Sequence, residues 1–316
     1  MNSYRSGALR VVLVAEEAAG VQALRAIVAA GVVPVAVLTG APLAASQRGV
    51  SVAGLAQKLG CAVWPGDRVR TAALAQRLRD EGVDLLINVH SLHPIHAQVI
   101  EAPTLGSYNL HPGPLPEFAG LNAPSWAIYL GQTRHAVTLH RMAPRIDAGP
   151  IAYETWFDLD QRATGLSVST RCVRLGIPLV ERLLTAAQRG AAAIPAKPQD
   201  QRQRRCFRKR DRPHDGRVPW QASAAELARW IRASDFHPLP SPWGYPVTQL
   251  GPLEVRLAKA EAAPPLPAAD PGCIVGVDER GVVVATGDGS LILRMVVAGG
   301  KRMAARDLLR PGMRLR

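Results

Sequence analysis

The chain has 316 residues, 47% of them hydrophobic, and a mean hydropathy of +0.03. That is enough for a sizeable core and two domains, and it excludes a disordered or membrane-embedded chain. Net charge is +13 and uneven, with 18 Lys+Arg against 14 Asp+Glu in residues 1–200 and 20 against 11 in residues 201–316.

From the N-terminus, residues 10–15 read as a buried strand. The apolar run Val11–Ala15 stops at Glu16-Glu17, too short for a secretory signal. A helix is expected over Glu16–Ala30, with Val21, Leu24 and Ile27 on one face, then a strand over Val32–Leu38. Ala26–Ser46 has no charge, but Gly31, Pro34, Gly40 and Pro42 divide it, which argues against a membrane span. Val52–Leu59 and Thr71–Glu81 read as helices, and Cys61–Trp64, Asp84–Val89 and Ser107–His111 as strands. Strands alternating with helices predict a parallel, helix-covered, Rossmann-like α/β sheet. The first strand-to-helix turn lacks GxGxxG and puts two acids where a pyrophosphate would sit, so dinucleotide binding is not expected.

Gln132–Val137 and Ile151–Phe157 read as a strand pair, and Ser167–Arg189 as a long helix with Val173, Ile177, Val180 and Leu184 on one side. Ala191–Asp215 is a Pro- and Arg-rich connection, and the expected domains are 1–200 and 201–316. Its basic run at 201–212 reads as a solvated linker before it reads as a nucleic-acid surface. Ser223–Ala233 is a helix with a Ser N-cap and Glu226 at the capping-box position. Short strands at Leu253–Lys259, Gly272–Val277, Gly281–Ala285 and Ser290–Val297 suggest a small barrel. Cys61, Cys172, Cys206 and Cys273 form no CxxC pair, as expected of reduced thiols in a cytoplasm.

The chemistry concentrates in Asn109-Leu110-His111-Pro112-Gly113-Pro114-Leu115-Pro116 and Arg145-Ile146-Asp147-Ala148-Gly149-Pro150-Ile151. Asn109 and His111 are two apart, so on a strand they leave the same face, and prolines and glycines make a rigid turn after them. An amide, an imidazole and a carboxylate around one turn suit attack on a carbonyl, with donors for the oxygen and a carboxylate to hold the imidazole and move a proton. No hydroxyl or thiol nucleophile is evident in these motifs, which favours direct transfer.

The runs Tyr108–Gly120, Ala136-Val-Thr-Leu-His140 and Ile146-Asp-Ala-Gly-Pro-Ile151 resemble the N10-formyltetrahydrofolate-dependent formyltransferases. That resemblance covers the chain to about residue 190 and continues more weakly into the tail, at Gly272-Cys-Ile-Val and Thr286-Gly-Asp-Gly-Ser-Leu-Ile-Leu. It implies a formyltransferase domain followed by a small OB-like barrel, with N10-formyltetrahydrofolate as co-substrate. It implies Asn109, His111 and Asp147 as the catalytic group, the first two polarising the formyl oxygen. The pterin is expected along Val89, His90, Ser91 and Leu92 and the loop holding Arg145 and Ile146, with Thr138 lining the site.

Against the family pattern, His111 is followed by Pro112-Gly113 instead of Pro-Ser, and Phe118-Ala119-Gly120 replaces Tyr-Arg-Gly. Thr39–Val50 holds only Arg48, where tRNA-modifying members carry a basic insertion. The resemblance therefore favours a small-molecule or carrier-bound amine acceptor, with methionyl-tRNA as the alternative and formyltetrahydrofolate hydrolysis as the second. His90, His93 and His96 share three-residue spacing, but Pro94 breaks the helix that would align them, so no metal is expected.

Overall fold

The computed structural model describes residues 8–40, 50–91, 93–264 and 269–316. Contacts divide the chain into two compact units that interleave along it. One comprises Met1–Gly120, Ala136–Trp156 and Arg171–Cys206, the other Leu121–His135, Phe157–Thr170 and Phe207–Arg316. Among the described residues no helix is long and apolar enough to cross a membrane.

The first unit begins with strands β1 (Val11–Ala15), β2 (Ala36–Thr39), β3 (Ala62–Pro65), β4 (Leu85–Val89) and β5 (Gly106–His111). They are linked by helices α1 (Glu17–Ala29), α2 (Val52–Lys58), α3 (Ala73–Asp80) and α4 (Ala97–Glu101). After the two-residue strand β6 (Ala119–Gly120) come β7 (Arg134–Arg141) and β8 (Ile151–Asp158). The seven-stranded sheet runs β3-β2-β1-β4-β5-β7-β8, parallel through β5 and antiparallel at β5–β7. Strand order reverses at β1–β4, the crevice where open α/β sheets bind ligands beyond their strand ends. β1 is buried throughout, as are Leu85, Leu86 and Ile87, because helices on both faces exclude water from a parallel sheet.

Two expectations shift. The strand expected from Val32 pairs only from Ala36, since Pro34 has no N–H to give a ladder and Val33 is exposed. Helix α6 (Gly165–Gln188) buries Cys172, Gly176, Leu179, Val180, Leu183 and Leu184, and leaves Val173 and Ile177 half-buried. The cause is Gly176: a Cβ there would lie 2.9 Å from Leu110 and 3.0 Å from Val137, so its bare backbone is the contact face.

The second unit holds α5 (Ala123–Tyr129), α7 (Ala224–Ala233) and a six-stranded sheet. β9 (Cys206–Phe207) precedes it. Its strands are β10 (Val247–Leu250), β11 (Leu253–Ala263), β12 (Ile274–Val277), β13 (Val282–Ala285), β14 (Ser290–Ala298) and β15 (Lys301–Ala304), before helix α8 (Ala305–Leu308). The order β10-β11-β14-β13-β12, with β15 also on β14, is an antiparallel half-barrel. β10 and β15 escape sequence reading because each is four residues long, one just after a proline-rich stretch and one basic. Ser223 caps α7 by accepting the Glu226 N–H at 3.2 Å, but the Glu226 carboxylate does not close the expected box. It accepts from Tyr129 Oη and pairs with His214 Nε2, both at 2.9 Å. Burial and that carboxylate push the Tyr129 phenol up to about 12. Trp126 stacks on Phe207 at 4.4 Å and meets Trp243 edge-on at 4.6 Å.

Ile87 is fully buried at the centre of the first sheet. Ile87→Ala is expected to lower unfolding free energy by about 2–5 kcal/mol, as measured by urea denaturation.

Candidate active site

Sheet register brings three polar side chains into one row. Asn88 on β4 is paired with Asn109 on β5, and Asn109 with His140 on β7. Asn88 Nδ2 donates to Asn109 Oδ1 at 2.8 Å, and Asn109 Nδ2 reaches His140 Nε2 at 3.2 Å. His140 Nδ1 donates to the Arg141 carbonyl at 2.9 Å, which turns Nε2 toward the Asn109 amide. Two residues on, His111 sits opposite Thr138 and is 3% exposed.

Asp147 comes to this row from the turn after β7. It is held at φ +50, a left-handed conformation that costs a non-glycine residue about 1–3 kcal/mol and persists only where surroundings enforce it. Gln199 enforces it, donating to the carbonyls of Asp147 at 3.0 Å and Gly149 at 2.6 Å. Gly149 is obligatory, because a Cβ there would lie 1.9 Å from the Arg141 oxygen. The carboxylate accepts from Gly120 N at 2.8 Å and Asn109 Nδ2 at 3.3 Å, with His140 Nε2 at 3.3 Å and His111 Nδ1 at 3.6 Å. Burial pushes its pKa up, but the neighbouring imidazoles and the Gly120 N–H outweigh that and hold it far below the usual carboxylate range. Asp147 is therefore a buried anion.

Burial lowers the His111 pKa, against the opposing pull of Asp147. Its Nε2 donates to the Phe118 carbonyl at 2.7 Å, so a neutral ring turns a bare Nδ1 toward Asp147. Such a ring takes up a proton; it could polarise an oxygen only as imidazolium. Asn109, with two N–H bonds in the row, is the better oxyanion donor.

The remaining residues singled out in the sequence divide. Val89 ends β4 fully buried, and its carbonyl accepts from Glu16 N at 3.3 Å. His90 follows at φ +59, with Nδ1 3.8 Å from the Glu17 carboxylate. Ser91 Oγ closes a turn on His93, and Leu92 lies outside the described residues, as does Arg48. His96 caps α4 through Nδ1, apart from the turn that holds His93. Thr138 is buried, and its hydroxyl donates to Gly113 O at 2.8 Å, which braces the turn after His111. Arg145 is exposed and Ile146 is 62% exposed, on the rim. Sequence reading missed Asn88 and His140. The signal was available, a lone Asn in the apolar run Leu85–Val89 and a His closing Val137-Thr-Leu.

The lowered His111 pKa has a sign. The unfolded imidazole, near 6.5, binds a proton before the folded one, so stability present above that pH is lost as pH falls through the window below it. Urea midpoints should fall between pH 7.5 and 5.5 in wild type and fall less in His111→Gln; parallel slopes would contradict the assignment.

Residues 5–179 match the Formyl transferase family and residues 212–311 the Formyl transferase, C-terminal domain family. Methionyl-tRNA formyltransferase of Thiobacillus denitrificans is 30% identical over 308 residues, 95% of this chain and 96% of that protein. The Alcanivorax borkumensis protein of the same name is 32% identical over 295 residues, 91% of this chain and 86% of its own. By structure, HypX from Aquifex aeolicus in complex with tetrahydrofolic acid matches with TM-score 0.62 at 19% identity, over 96% of this chain and 47% of HypX. An N-formyltransferase from Helicobacter canadensis, in complex with folinic acid and dTDP-3-aminofucose, matches with TM-score 0.64 at 14% identity, over 93% of this chain and 100% of its own. With both of its domains matched and relatives aligned over nearly its whole length, this chain belongs to the formyl transferase family.

Proposed function

We propose that this chain transfers the formyl group of N10-formyltetrahydrofolate to the amino group of methionyl-tRNA by direct attack. The observation that carries the chemistry is the buried Asp147 anion beside the Asn109 amide and the bare Nδ1 of His111. The donor supplies a formyl carbon on a nitrogen leaving group. As the amine nitrogen bonds to that carbon, the formyl oxygen gains negative charge, which the Asn109 amide stabilises by turning to it one of the two N–H bonds that His140 and Asp147 hold at rest. The amine proton passes to His111 Nδ1, with Asp147 balancing the charge, and is returned to the folate nitrogen as the carbon–nitrogen bond breaks.

The acceptor rests on relatives named methionyl-tRNA formyltransferase that align along nearly the whole chain, C-terminal domain included. This reverses the order given by the sequence analysis. Arg202, Arg205, Arg208, Lys209, Arg210 and Arg212 are all exposed, a charge suited to phosphates. A second reading, a small or carrier-bound amine, is favoured by the single basic residue of Thr39–Val50.

Purified protein given N10-formyltetrahydrofolate is expected to formylate methionyl-tRNA, with binding weakened steeply by salt. Asn109→Ala should lower the rate by about 10²–10³. Formyl product on amino sugars, amino acids or carrier-bound amines, with none on tRNA, selects the second reading. Formate as sole product makes the protein a hydrolase.

A further inference from the structure

Asn88 is absent from the group that the sequence singles out, yet it touches the amide on which the proposed chemistry depends. It projects from the middle of β4, where Leu86, Ile87 and Val89 are fully buried, and its register partner is Asn109. A polar side chain at that point of an apolar strand calls for a specific reason.

The reason lies in amide polarity. Asp147 is ionised, so its oxygens only accept hydrogen bonds. The end of the Asn109 amide that faces it is therefore the NH2, and the Asn109 oxygen faces β4. Asn88 must then present its own NH2 to that oxygen, as its 2.8 Å contact does. Its carbonyl Oδ1 is left buried, taking no hydrogen bond from any described residue. An isolated asparagine would not choose to leave an acceptor unmet, so the orientation is imposed from the Asp147 side. With both amides reversed, the Asn109 oxygen would face the carboxylate and would point at the formyl oxygen as its charge develops.

We propose that Asn88 is a positioning residue for formyl transfer, locking the Asn109 amide with its N–H groups toward the reaction centre. This inference rests on the formyl-transfer reading of the site. Asn88 acts through Asn109, so its loss matters only while Asn109 is present.

The test is a double-mutant cycle on the full chain: wild type, Asn88→Ala, Asn109→Ala and the double variant, assayed for tetrahydrofolate formed from N10-formyltetrahydrofolate with methionyl-tRNA. Asn88→Ala is expected to lower kcat by about 10- to 10²-fold while KM for the folate moves less than about twofold. In the Asn109→Ala background the further loss should be under about twofold. Asn88→Asp keeps shape and oxygen but loses the donor, and should match Asn88→Ala. Equal losses in both backgrounds, or wild-type kcat in Asn88→Asp, would overturn the proposal.

A second readout needs no turnover. The chain holds four asparagines, Asn2, Asn88, Asn109 and Asn122, so protein labelled with ¹⁵N at asparagine amides gives four side-chain pairs. In Asn88→Ala the Asn109 pair should shift and exchange faster with solvent. An unmoved Asn109 pair refutes the lock even if wild type proves inactive on every acceptor, whereas a shifted pair with no turnover indicts only the formyl-transfer reading.

Discussion

The organisation of the first unit turns on one buried negative charge. A carboxylate removed from water is costly unless neighbouring groups replace its hydration. Asp147 finds them in the Gly120 N–H and the Asn109 amide. Each of those groups is then oriented by the charge it serves. The Asn109 oxygen is turned to Asn88, and His140 offers Nε2 because Nδ1 is tied to the Arg141 carbonyl. The charge thus writes a definite polarity across three strands, and that polarity suits the proposed attack on a carbonyl.

The same demand explains local backbone that looks unfavourable in isolation. Asp147 at positive φ, Gly149 against the Arg141 carbonyl and the Gln199 clamp are parts of one turn built to deliver a carboxylate. On the other side, Thr138 braces Gly113 and Phe118 anchors His111, so the turn after β5 is held from both ends. The strand-order reversal at β1–β4 opens the crevice, and the left-handed residues Glu17 and His90 stand at its two lips. Rigid strands set the positions, and short strained turns set the directions.

Much of this is legible in residues that are neighbours along the chain. The alternation of apolar runs with amphipathic helices announced the parallel sheet. Asn109, His111 and Asp147 stood out because prolines and glycines flank them. What escaped is what depends on strand pairing. Asn88 and His140 lie 21 and 31 positions from Asn109, and no periodicity says that β4 and β7 both border β5. The bond from the Thr138 hydroxyl to the Gly113 carbonyl, 25 positions away, is equally out of the sequence's reach. The buried stripe of α6 moved for a similar reason, since side-chain spacing cannot show that a glycine is the contact face.

The sequence by itself determined the α/β class, the rigid turns and the three residue types to which the acyl chemistry is proposed to fall, because backbone propensity and side-chain chemistry are local properties. Only the tertiary structure decided which nitrogen of His111 is available, which way the Asn109 amide points and why an asparagine lies in an apolar strand. Those are questions of hydrogen-bond polarity around a buried charge, and they are answered by what cross-strand register brings within about 3 Å.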